Sequence, residues 1–83
     1  MLEKTIRAAH AAEHEFELAT LIVQKASQYK AGIQIGIGEK RVNAKSIMGV
    51  SYLSITDDDE VYLQADGPDE EAAVADLAGL IEG

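Results

Sequence analysis

The sequence predicts an α+β fold in which helices cover one face of an antiparallel sheet. Three observations predict it. Apolar residues alternate with polar ones in four short stretches. Between and after these stretches, apolar residues recur every three or four positions. Turn residues separate the two patterns, giving the order β-α-β-β-α-β-α with no linker or repeat.

Leu2, Lys4, Ile6 and Ala8 alternate with Glu3, Thr5 and Arg7, the pattern of an opening strand with one half-buried face. From Phe16 onward Leu18, Leu21, Ile22, Ala26 and Tyr29 share one helical face, and Gly32 closes that region. Ile33, Ile35 and Ile37 then alternate up to Gly38-Glu39, a Gly-first pair suited to a type II′ hairpin turn, from which Val42 and Ala44 return as a short third strand. Ser46 is the expected N-cap of a brief second helix carrying Ile47, Val50 and Tyr52 or Leu53. Thr56-Asp57-Asp58-Asp59-Glu60 reads as a polar turn, and Val61, Leu63 and Ala65 as the fourth strand. Gly67-Pro68-Asp69-Glu70-Glu71 starts the last helix, with proline near its first position and carboxylates in its first turn. Its buried stripe is Ala73, Val74, Leu77, Leu80 and Ile81. The alanine-rich stretch Ala8–Ala12 favours helix and suggests that helix one begins early.

At 83 residues the chain fits a single domain over 1–83, too small for a deep enclosed active site, so function is expected on its surface. With no cysteine it can form neither a disulfide nor a thiolate metal site, which fits a reducing compartment. There is no signal-peptide pattern and no run approaching a membrane span, so a cytoplasmic protein without membrane contact is expected. A net charge of −8 opposes non-specific binding to nucleic acid, whose affinity comes from clustered Lys and Arg.

His10 and His14 lie four apart, as do Glu13 and Glu17, a spacing that would bring four metal ligands onto neighbouring helical faces. Solvated histidines are the favoured reading, and neither a metal nor a cofactor is expected. Asp57-Asp58-Asp59-Glu60 lacks the spaced ligands and glycine of a calcium loop, so a solvated turn is favoured there too.

Asn43-Ala44-Lys45-Ser46-Ile47-Met48-Gly49, the Ala65-Asp66-Gly67 step into Asp69-Glu70 and Ala73, and the Ala19–Ala26 stretch resemble the HPr family. These are the small phosphocarriers of the bacterial sugar phosphotransferase system, and the resemblance spans essentially the whole chain without a gap. It implies an open-faced β-sandwich, a four-stranded antiparallel sheet with three helices on one side, and a carrier rather than an enzyme. The family's chemistry uses a histidine at the start of helix one, in a Gly-(Leu/Ile)-His-x-Arg-Pro-Ala pattern, where free amides bind the phosphoryl group and the arginine neutralises it. Here Glu13-His14-Glu15-Phe16-Glu17-Leu18-Ala19 stands in that place: Glu15 matches the histidine, Glu17 the arginine and Leu18 the proline. Sliding the register by one residue offers His14, but puts Phe16 on the arginine and sets three carboxylates around the ring. The phosphohistidine site is therefore expected to be degenerate, with a carrier working through His14 as the alternative. A further reading has Glu15 imitating phosphohistidine; a carboxylate merely favouring a helix N-terminus is preferred.

The resemblance leaves a second site. In Gram-positive members an ATP-dependent HPr kinase phosphorylates a serine matching Ser46, and the product binds a catabolite-control regulator. The chain is thus expected to be a Crh-like regulatory member, with Ser46 as phosphorylation site and Lys45, Ile47, Met48 and Val50 as docking residues. Expected partners are the kinase, the regulator and, weakly, enzyme I, the chain being a monomer or a strand-exchanged dimer. Glu17, Gln24, Ser27 and Gly49 stand where the family's basic docking residues would lie, while Lys25 and Lys45 remain.

Overall fold

The computed structural model describes residues 1–9 and 17–82. His10, His14, Glu13 and Glu15 lie outside these described residues, and with them the His10/His14 metal arrangement, the Glu15 mimic and the His14 alternative. Strands β1 (Leu2–Arg7), β2 (Gly32–Ile37), β3 (Lys40–Asn43) and β4 (Glu60–Asp66) form one antiparallel sheet in the order β1-β4-β2-β3. Helices α1 (Leu18–Ala26), α2 (Ile47–Leu53) and α3 (Glu70–Glu82) complete the open-faced sandwich.

Two-residue periodicity fixes which sheet face is buried. Leu63 pairs with Ile35 and Ile35 with Val42, so one inward row crosses β4, β2 and β3, and on β1 the buried Ile6 pairs with Val61. Val61, Leu63 and Ala65 on β4 are fully buried, as are Ile35 on β2, Ile22 on α1 and Leu77 on α3. No polar or charged residue is buried among the described residues, so the core is held by apolar packing alone. Gly38 has φ +60° while Glu39 stays at negative φ, the pattern of the expected II′ turn.

Three boundaries differ from the sequence expectation. Helix α1 ends at Ala26, where Gln28 N–H bonds Lys25 O at 3.1 Å and Tyr29 N–H bonds Ala26 O at 3.2 Å, tightening the chain into a turn. Tyr29 therefore lies beyond the helix. Ala8 and Ala9 are not helical, because Ala8 N–H bonds Asp59 O at 2.9 Å and Ala9 N–H bonds Ile81 O at 3.0 Å. Tertiary partners outweigh alanine's helix propensity there. Ala44 lies beyond β3, in the turn that follows Asn43; Pro68, by contrast, stands near the start of α3 as expected, just ahead of Asp69, whose O accepts Ala73 N–H at 3.0 Å.

Candidate functional site at the entrance of helix two

The connection from β3 into α2 is set by local hydrogen bonds. Asn43 Oδ1 accepts Lys45 N–H at 2.9 Å and Asn43 O accepts Ser46 N–H at 3.0 Å, so one asparagine turns the chain. Ser46 is extended at φ −105°, ψ 115°; its Oγ accepts Gly49 N–H at 3.3 Å and its carbonyl accepts Val50 N–H at 2.9 Å. That is the expected N-cap, satisfying one of the helix's orphan donors. Gly49 permits the close approach of α2 to β3: a Cβ there would stand 3.0 Å from Val42 Cβ.

Amphipathicity divides α2. Val50 and Leu53 are buried, whereas Ile47 is 45% exposed, Met48 83% and Tyr52 62%. Val50 is not the exposed residue expected of a docking surface: the helical period turns it into the core, where it supports α2 from beneath. Tyr52, absent from the expected docking residues, extends the apolar patch, with Lys40 Nζ 4.9 Å from its ring centre. Its i+4 spacing from Met48 was the available signal. Lys45 is half-buried, and its Nζ donates to Tyr29 O at 2.7 Å.

At the start of α1, Glu17 is exposed and helical at φ −93°, ψ −25°; its side chain makes no cap, although its carbonyl accepts Leu21 N–H at 2.8 Å. Leu18 is buried. A groove of about 360 Å³ separates this end of α1 from the end of α2, lined by Leu18, Ala19, Val50, Ser51, Ser54, Ile55 and Thr56. Ser54, in the left-handed region at φ 50°, turns the chain out of α2. Its neighbours give no signal of this in the sequence.

Charge is distributed unevenly. Five of the seven basic residues (Lys25, Lys30, Lys40, Arg41 and Lys45) fall between Thr20 and Ile55 with only Glu39 against them; from Thr56 onward there are ten carboxylates and no base. Sheet order places β3 and its neighbour α2 at one edge and β1 with α3 toward the other, so α2 lies at the basic side of an acidic molecule. Asp57–Glu60 belong to the acidic part, where Asp59 Oδ2 accepts Thr56 N–H and Oγ1–H at 2.8 and 2.9 Å. No group of three or more potential metal ligands occurs among the described residues.

These features meet in known proteins. The family described as "PTS HPr component phosphorylation site" matches residues 2–83. This chain belongs to the HPr family. It is 39% identical over 82 residues to the phosphocarrier protein HPr of Treponema pallidum, covering 99% of this chain and 93% of that one. The crystal structure of HPr from Bacillus anthracis superimposes with a TM-score of 0.90 at 32% identity, covering 96% of this chain and 95% of the other. The crystal structure of Crh from Bacillus subtilis, described as a catabolite-repression protein with a swapped domain, gives a TM-score of 0.71 at 35% identity over 90% and 80% of the two chains. HPr proteins are phosphocarriers rather than enzymes. No helix among the described residues is long and apolar enough to cross a membrane.

Proposed function

We propose that this chain is a regulatory and binding module of the phosphotransferase system, controlled by phosphorylation of Ser46, with a degenerate phosphohistidine site. The observation that carries this reading is Ser46 at the N-cap of α2 with Ile47, Met48 and Tyr52 exposed beside it. A serine hydroxyl beside an apolar patch is a place where added phosphate alters what docks, by supplying negative charge and three acceptor oxygens. Ile47 and Met48 supply the apolar contact, and Lys40 contributes charge through its position at Tyr52. HPr kinase and a catabolite-control regulator are the partners this reading requires.

Glu15, Glu17 and Leu18 occupy the positions of histidine, arginine and proline in the gapless register. A carboxylate at the arginine's place repels a phosphoryl dianion that the guanidinium would have bound. Enzyme I would then dock weakly and transfer nothing.

Intact-mass measurement tests both halves. The protein is incubated with phosphoenolpyruvate and enzyme I, and separately with ATP and HPr kinase. The expected result is an acid-stable phosphate on Ser46 in the second reaction and none in the first. Acid-labile phosphate on His14, lost in His14→Ala, would establish a working carrier instead. Light scattering across concentration decides between a monomer and a strand-exchanged dimer.

A further inference from the structure

Lys45 links the Ser46 segment to a distant turn. Its Nζ donates to Tyr29 O at 2.7 Å in a half-buried setting, joining the start of α2 to the turn between α1 and β2. The same turn is fastened from α3. Asp69 accepts Lys30 N–H at 2.8 Å and Ala31 N–H at 2.9 Å, and the Tyr29 hydroxyl donates to Asp76. The Lys30 amide, then the Ala31 amide, holds the Asp69 carboxyl below its usual range, and the positive charge of Lys45 acts in the same direction. Lys45 is therefore close enough to Asp69 to influence it, and its ammonium is committed within the fold.

We propose that Lys45 couples the charge on Ser46 to the turn at Tyr29–Ala31. With Ser46 unmodified, the ammonium rests on the Tyr29 carbonyl; a phosphoryl dianion on Ser46 draws it away and the turn loosens. This rests on the reading of Ser46 as a phosphorylation site. Adjacent residues hold their Cα atoms about 3.8 Å apart, so a lysine stem reaches a phosphoryl group on its neighbour. An ionised acceptor binds an ammonium more strongly than a neutral carbonyl does. Asp69 already accepts the Lys30 and Ala31 amides, so an anion beside Lys45, phosphoryl or carboxylate, competes mainly with the neutral Tyr29 carbonyl for the ammonium. Once the ammonium leaves, the turn keeps its bonds to Asp69 and Asp76 but loses the one that ties it to α2.

Amide hydrogen exchange at Lys30 and Ala31 reads the coupling in the full chain, comparing the wild type with Ser46→Asp, Lys45→Met and the double variant. Ser46→Asp requires no kinase, so absence of phosphorylation and absence of coupling are separate results. The expected outcome is exchange faster by about threefold to tenfold in Ser46→Asp, with no such acceleration when Lys45→Met is already present. Unchanged exchange in Ser46→Asp, or equal acceleration in both backgrounds, overturns the proposal. Lys45→Gln, which keeps a polar side chain, replaces Lys45→Met in the cycle if circular dichroism shows that the latter is unfolded.

Discussion

The entrances of α1 and α2 are built in opposite ways. At α2 a serine caps the helix with its own oxygen, an asparagine turns the chain into it, and apolar side chains face outward. At α1 the residue before the helix is an exposed glutamate without a side-chain cap, and the first helical residue is a buried leucine. The α2 entrance is therefore defined by local polar chemistry and leaves its apolar groups facing solvent. The described part of the α1 entrance is held by packing. Within one small fold, the serine end presents a capped and exposed surface, and the glutamate end a packed anchor.

The sharpest test of that contrast is truncation. Leu18→Ala should destabilise the protein by about 2–5 kcal/mol, because a buried leucine leaves a cavity as well as losing its transfer free energy. Met48→Ser, at a residue 83% exposed, should shift stability by no more than about 0.5 kcal/mol. Urea denaturation of both variants checks this. In a binding assay with the Ser46-phosphorylated protein and the catabolite-control regulator, Met48→Ser should weaken the complex although its folding is intact. If Met48→Ser is as destabilising as Leu18→Ala, the exposed patch belongs to the core and the contrast fails.

Capping separates the entrances by a smaller amount. Ser46→Ala removes the oxygen that accepts Gly49 N–H and should cost about 1 kcal/mol. Glu17→Ala removes no cap and should change stability by less than about 0.5 kcal/mol. Thermal denaturation measures both. Equal losses would mean that Ser46 contributes little as a cap and that the α2 entrance is held mainly by the Asn43 turn.

What the sequence disclosed follows the range over which each feature is determined. Strand faces were legible because parity alone decides them: Ile33 and Ile35 on β2, and Val61, Leu63 and Ala65 on β4, all point inward and are buried. The Ser46 cap was legible because donor and acceptor lie three residues apart. Periodicity carried Tyr29 onto α1, since it registers an apolar recurrence but not the Gln28 and Tyr29 bonds that tighten the chain after Ala26. Adjacency to Ser46 placed Val50 with the docking residues, although its position on the helix turns it inward. Contacts joining distant segments gave no local signal. Lys45 reaches back to Tyr29, 16 residues away, and Asp69 to Lys30 and Ala31, 39 and 38 residues away.

Those long-range contacts predict the smallest effect, and a pH scan reads it. The Lys30 amide, then the Ala31 amide, lowers the folded-state pKa of Asp69; the Tyr29 hydroxyl, then Lys25, does so for Asp76. A carboxyl with a folded pKa below its unfolded value adds stability that is present above the unfolded value, about 4, and lost as pH falls through the folded one. Tyr29 runs the other way: hydrogen bonding to Asp76, then burial, raises its pKa, so its contribution is present below about 10 and lost as pH rises through the folded value. Asp69→Asn should therefore lower stability at neutral pH and flatten the decline below pH 4, with only a slight effect on the alkaline limb, because the Asp69 charge is the smallest of the influences that raise Tyr29. Asp76→Asn should flatten both limbs, because it removes the acceptor that perturbs Tyr29 as well as its own carboxylate. An alkaline limb that stays steep in Asp76→Asn would show that the phenol is governed by burial rather than by its carboxylate partner, and that the clasp between the α1–β2 turn and α3 is weaker than its geometry indicates.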